Sequence, residues 1–390
     1  MNNNKVLKSL KAKLDRFLEN ISNGLCKVDK RFIRDMAIGL LKGKDVLLSE
    51  IGRKLNENIS IKKTDERLCR QLLKYNQEEK VLRNFRTFVN EEINNKTIFV
   101  IDNTDVTKPY GKKFENMCKV MDGSTGEVKN GYEICTISAL TPVHKQPLPV
   151  YSHLYSYEEQ NYESNNIETQ KGLDCVRKAF GSVGVKVFDR AYDDKKLFNY
   201  LIHHEERFVI RVKENRYVRA KGQVLSINSA ADLALQSKAT IFKKNGREYK
   251  LIFGKIKVLV GDIPLTLVVV NGFNERMLLL SNMDELTPEV EKTIVKLYMV
   301  RWKVEELFRF EKQNFKLENF RVRKLKAIRN LNLMVMMVTA FISLLSEKQQ
   351  TALFKSLYKV SKTIEKQFKN NHVYFYSIAR AICTVLCNTS

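Results

Sequence analysis

Two short runs of β-forming residues, Lys96–Asp102 (KTIFVID) and Gly184–Asp189 (GVKVFD), each close on an aspartate. Apolar runs of this length, bounded by polar segments, read as buried strands. Between them lie two more strand-like runs, Tyr132–Leu140 and Leu148–Tyr155, and a helical pattern over Asn166–Phe180. A helix over Asp193–His204 and a strand over Arg207–Val212 (RFVIRV) follow the second aspartate. The polar stretch Asn103–Asn130, which holds Lys108, Lys112 and Lys113, reads as a loop. Strands mixed with helices in this order specify an α/β core, and strand, loop, strand, strand, helix is the opening order of a ribonuclease-H-like fold.

A second feature stands out downstream. Leu297–Lys312 (LYMVRWKVEELFRFEK) reads as one amphipathic helix, introduced by Thr287 as N-cap and Pro288 at the first helical position. On a wheel of 3.6 residues per turn, Tyr298, Arg301, Glu305 and Lys312 share an arc of roughly 60°. Leu297, Val300, Val304, Leu307, Phe308 and Phe315 form the opposite, buried stripe, and Glu306 falls off both faces. A plain solvated face with an Arg301–Glu305 pair is the bland account of such a column.

The spacing Tyr298-x2-Arg301-x3-Glu305-x6-Lys312 resembles the third catalytic motif, the YREK signature, of DDE transposases of the bacterial insertion-sequence-four family. Asp102-Asn103-Thr104 looks like the first motif of that family, and Asp189-Arg190-Ala191-Tyr192-Asp193, followed by Arg207–Arg211, like the second. The resemblance spans roughly residues 95–325, with the motifs in the family's order. It implies that Asp102, Asp189 and Glu305 are the catalytic carboxylates. They would hold two Mg²⁺ ions, with Mn²⁺ as a substitute, since hard oxygen donors suit these cations and buried acids repel one another without them. Arg301 and Lys312 would hold flanking phosphates, Tyr298 would donate to a phosphate oxygen, and Trp302, the only Trp, would either stack on an unpaired base or pack half-buried.

The resemblance further implies metal-dependent cutting at element ends and transfer of the 3′ ends into target DNA. The partners would be double-stranded DNA, as terminal inverted repeats and as target, with a homodimer in the synaptic complex. The rival accounts are a nuclease of the same fold that no longer transposes and a non-catalytic DNA-binding relative. Several acids compete for the same roles. Asp105 lies three residues past Asp102, which is preferred because it closes the apolar run. Asp193 and Asp194 read as helix caps, Asp122 (MDGS) as a turn residue, and Tyr132, His144 and His153 as packing.

Composition is consistent with a nucleic-acid partner: 390 residues carry a formal net charge of +24, which calls for a polyanion. No apolar run reaches the ~18–20 residues of a membrane span; the longest candidate, Leu331–Leu345, reads as a buried helix. Seven scattered cysteines without a Cys-x2-Cys pair, and the N-terminal stretch MNNNKVLKSLKAKLDRF without a signal-like apolar core, point to reduced thiols in a cytoplasm, which the resemblance implies is bacterial, with the protein associated with the nucleoid. Residues 1–92 form a helical, DNA-binding region, in which Ser49–Leu55, a turn, and a helix near Thr64–Tyr75 suggest a helix-turn-helix presenting Arg53, Lys54, Lys62, Lys63, Arg67 and Arg70. The catalytic core spans 93–213 and 285–325, around a β-rich insertion at 214–284 with turns at Asn245-Gly246 and Gly261-Asp262. A basic run follows Glu305, with Arg321, Arg323, Lys324, Lys326 and Arg329, the first three assigned to DNA, and 326–390 is helical.

Overall fold

The computed structural model describes residues 3–141, 146–244, 247–273, 275–283, 289–347, 351–364 and 374–387. Helices come first: α1 (Asn3–Ile21), α2 (Lys27–Gly43), α3 (Leu48–Leu55), α4 (Ile61–Lys74) and α5 (Glu78–Val89). Strands β1 (Ile98–Thr107), β2 (Cys118–Asp122), β3 (Glu127–Leu140) and β4 (Pro147–Tyr155) precede α6 (Asn165–Phe180), β5 (Val185–Phe188), α7 (Lys195–His203) and β6 (Phe208–Arg211). Then come β7 (Tyr217–Ala220), β8 (Gln223–Ser226), α8 (Ile227–Ala234), β9 (Leu235–Lys244), β10 (Arg247–Val260), β11 (Ile263–Asn271) and β12 (Met277–Ser281). The chain continues through α9 (Val290–Met299), α10 (Trp302–Asn314), α11 (Leu325–Glu347), α12 (Ala352–Ile364) and α13 (Tyr374–Cys387).

These elements form two compact units. A helix-rich unit holds Met1–Ile93, Asn103–Phe180 and Glu305–Ser390; a sheet-rich unit holds Asn94–Asp102 and Gly181–Val304. In the sheet-rich unit the first half of β1 pairs parallel with β5, from Ile98 opposite Val185 to Ile101 opposite Phe188, and β5 pairs parallel with β6. Strand β12 then joins β6 antiparallel, followed by β11 and β10. The hairpin between β10 and β11 closes on Gly261, whose φ of 62° suits the expected Gly261-Asp262 turn. Helix α9 seals one face through Val290, Ile294, Val295 and Tyr298, packed with Val187, Val209, Val268 and Leu279. Beneath β5, Lys186 and Glu206 form a fully buried ion pair, and Lys186 Nζ also donates to Val183 O at 2.7 Å.

In the helix-rich unit β2, β3 and β4 form an antiparallel set. The second half of β1 lies beside β3: Lys108 N–H donates to Asn130 O, and a Cβ on Gly131 would meet Val106 O at 2.3 Å, so only glycine fits there. The expected mixture of strands and helices, an α/β core with helices at both ends of the chain, is found. Helix α11 packs on β4, α2, α4 and α13.

Several expectations are corrected. Strand β1 does not end at Asp102 but runs to Thr107, and the stretch expected as a loop also holds β2 and the start of β3. The apolar run at 331–345 is part of a longer helix. By length and composition Leu325–Ser346 could cross a membrane, yet 83% of its apolar window is buried within the protein. Helix α4 begins at Ile61, earlier than the expected Thr64, because Ser60 caps it by accepting from Lys63 N–H. Thr287, Pro288, Asn245, Gly246 and His144 lie outside the described residues.

Candidate active site

Parallel pairing decides where the strand acids go. The last registered pair of β1 and β5 is Ile101 with Phe188, and the next residue on each strand is an aspartate, Asp102 and Asp189. Parallel neighbours run the same way, so both acids emerge at the same, C-terminal end of the pair. Asp189 then turns the chain: its Oδ1 accepts from Ala191 N–H at 2.6 Å and caps the short 3-10 turn Arg190–Tyr192.

Arg301 meets Asp102 at 2.8 Å through Nη1, with both side chains mostly buried. The expected single helix over 297–312 is broken at this point: α9 ends at Met299 and α10 starts at Trp302. Across the break Arg301 N–H bonds to Tyr298 O, Lys303 N–H to Val300 O and Val304 N–H to Arg301 O, each spanning three residues. Tighter bonding of the 3-10 kind thus replaces the α-helical ladder between the two helices. Tyr298 therefore does not stand in an outward column. It is buried in the apolar cluster, and Arg301 Cζ lies 5.9 Å from its ring centroid, so it supports the guanidinium. Trp302 is 38% exposed.

In the helix-rich unit Glu305 is exposed in the first turn of α10, while Leu307, Phe308 and Phe315 are buried as expected, as is Val304, the last residue of the sheet-rich unit. Glu306 pairs with Arg309. Lys312 Nζ reaches Asp105 at 2.9 Å and Glu318 at 3.7 Å. Asp105 also accepts from Gly123 N–H at 3.3 Å. Beside this pair lies Glu133, missed in the sequence. Burial pushes its carboxyl up to about 7 against the hydrogen bond from Tyr157 Oη at 3.1 Å, and neighbouring Asp105 pushes it the same way. The signal available was a lone acid inside the strand run Tyr132–Leu140 (YEICTISAL).

Other assignments sort as follows. Asp194 caps α7, but Asp193 does not; it is buried, paired with Arg216 Nε at 2.6 Å and accepting from Lys213 N–H, because the chain leaving β6 needs a polar anchor there. Asp122 holds its turn by accepting from Ser124 N–H and Lys129. Tyr132 packs, donating to Glu115 O, and burial pushes His153 down to about 3, which keeps it neutral. Arg321, Arg323 and Lys324 are exposed. Arg329, by contrast, forks onto Glu159 at 2.7 Å. Arg67 is likewise turned away from a phosphate role, held by Asp35 and Glu57. Lys54, Lys62, Lys63 and Arg70 are exposed, and Arg53, also exposed, pairs with Glu50.

Among the described residues no three His, Cys, Asp or Glu side chains form a group that could hold a metal ion. Asp102 and Asp189 are hard-oxygen donors of the kind that hold divalent cations, and the cation found against Asp102 is the Arg301 guanidinium.

A family model described as "Transposase DDE domain" matches residues 94–341, well over half of the chain. No curated protein matches it. Among solved structures the chain is similar to one titled "Cryo-EM structure of piggyBac transposase synaptic complex with hairpin DNA", at 13% identity and a TM-score of 0.45, covering 92% of this chain and 71% of that one.

Proposed function

The chain belongs to the transposase DDE-domain family, enzymes that cut and join DNA in transposition, and we propose that Asp102, Asp189 and Glu305 are its catalytic carboxylates. DNA is its partner, and the family's reaction depends on divalent metal. The observation that carries the assignment is the pair of aspartates one step beyond the last parallel β1–β5 pair, with Arg301 on the first of them.

Within the family, the Tyr298, Arg301, Glu305 and Lys312 spacing supports a place in the insertion-sequence-four group. Two Mg²⁺ ions, with Asp102 and Asp189 as donors, would supply the positive charge that the attacking and leaving oxygens need. The chain's own part is positioning. Asp102 and Asp189 come from backbone fixed by parallel pairing, so their carboxylates are preorganised. Arg301, stacked on Tyr298, is a fixed guanidinium that can turn from Asp102 to a phosphate oxygen as DNA arrives. Water first attacks the phosphodiester at the element end, releasing a 3′-hydroxyl, and that hydroxyl attacks the target phosphodiester, so each bond broken is matched by one formed. Double-stranded terminal repeats, target DNA and a second copy of the chain complete the assembly in this reading.

The test is a cutting and joining assay on a supercoiled plasmid bearing the element's own flanking ends, with Mg²⁺ or EDTA. Wild type should give metal-dependent cut and joined products, lost in Asp102→Asn, Asp189→Asn and Glu305→Gln. Products that persist in any of the three would remove that residue from the site. Cutting without joining would replace transposition with nuclease activity.

A further inference from the structure

Tyr110 is the most exposed large hydrophobic side chain among the described residues, at 94%. It does not hang on a loose loop. Lys108-Pro109-Tyr110-Gly111 is a β-turn closed by Gly111 N–H to Lys108 O at 2.9 Å, with Pro and Gly where such a turn favours them. The turn packs so tightly on Phe114 that a Cβ at Gly111 would lie 2.8 Å from that ring.

The turn is also fastened to a segment more than 200 residues further along the chain, within the same helix-rich unit. Lys108 Nζ donates to Phe320 O at 2.6 Å and to Glu318 O, and sits 4.0 Å from the Phe320 ring centroid. Phe114 meets Phe320 edge to face at 5.7 Å. Glu115 N–H donates to Arg323 O at 2.9 Å, and the Glu115 carboxylate accepts from Leu325 N–H and Lys324. Residues 108–115 and 318–325 thus run side by side. Between their anchors Lys112 and Lys113 are exposed on one segment, and Arg321, Arg323 and Lys324 on the other.

We infer that these joined segments form a DNA-contact surface in which the five cations follow the phosphate backbone and Tyr110 stacks on an unpaired base. This rests on the reading of the chain as a DNA-binding enzyme. The cations supply sequence-independent attraction, and an aromatic ring offered among them is how unpaired nucleotides are held. A ring left in water has no packing role to lose, and its rigid turn removes the ordering cost of binding. Duplex DNA has no free base face to offer it, so the surface favours DNA opened locally, as at a site of strand exchange.

The experiment uses the full chain in EDTA, so that no cutting intervenes. Fluorescence anisotropy follows two labelled duplexes of one sequence, one with a short unpaired bubble and one fully paired. Tyr110→Ala should weaken bubble binding about tenfold and change paired binding by less than about twofold, while Tyr110→Trp keeps both. Lys112→Ala with Lys113→Ala should weaken both and lower the slope of log affinity against log salt by about two. Unchanged bubble affinity in Tyr110→Ala, or equal loss on both duplexes, overturns the inference while leaving the transposase reading intact. Failure of the wild type to bind either duplex overturns both.

Discussion

Asp102 and Asp105 lie three residues apart on one strand, each against a cation from the same stretch of sequence, yet the two pairs are built differently. Asp102 faces Arg301, stands one step past the parallel β1–β5 pairing, and is level with a second acid, Asp189. Asp105 faces Lys312 inside the helix-rich unit, tied down by Gly123 N–H and close to half-buried Glu133. The first pair sits where backbone pairing presents carboxylates together; the second fastens α10 to its surroundings. In the proposed reading one type of contact, an acid on a base, serves chemistry in one case and architecture in the other, and the neighbours differ: a second strand-end acid beside Asp102, a backbone N–H on Asp105.

The largest effect should come from exchanging the acids for amides. Asp102→Asn should slow plasmid cutting on the order of a thousandfold or more, while Asp105→Asn stays within about tenfold. The reverse order in initial rates would exchange their roles. Next comes Arg301→Lys, which keeps the charge but loses the planar fork. It should cost about ten- to a hundredfold in cutting rate, and an undiminished rate would reduce Arg301 to a surface cation.

Lys312→Met should act on stability instead, leaving Asp105 without its cation. With Lys312 about a quarter exposed, the loss should be about 1–2 kcal/mol in urea unfolding. Adding Asp105→Asn should recover part of it; strict additivity would mean that the pair carries no coupling. The last effect, which vanishes at low pH, concerns Glu311, the residue before Lys312, buried against Thr339, whose carboxyl burial pushes up to about 7. Ionising it is costlier in the folded chain than in the unfolded one, so stability falls as pH rises from the usual carboxylate range through 7 and is level above that. Glu311→Gln should match wild type near about pH 5 and melt a few degrees higher near about pH 8. A gap that is equal at both pH values would put the carboxyl in its ordinary range.

Strand acids were legible because they close apolar runs, but the meaning of that mark differs from its first reading. At β1 the apolar run stops where the parallel partner stops, not where the strand does; beyond Asp102 the strand continues beside β3, a half-polar setting that alternation alone does not reveal. Helical periodicity found the buried face of α10 through Val304, Leu307, Phe308 and Phe315, yet it carried across the break at Val300–Arg301, since a wheel assumes an unbroken α-helical ladder. Individual ion pairs such as Lys312 with Asp105, or Arg67 with Asp35 and Glu57, join residues far apart in sequence, and spacing holds no trace of them.

Helix α11 bears on how the chain must be made. A segment apolar enough to enter a bilayer is a hazard while it waits uncovered during synthesis. Here three of its covering surfaces, α2, α4 and β4, lie upstream and leave the ribosome earlier, and α13 follows. The order of elements along the chain therefore shortens the time for which that apolar surface is bare. A shortened product starting after α5 would lack α2 and α4, and would present the same helix to membranes and to other copies of itself.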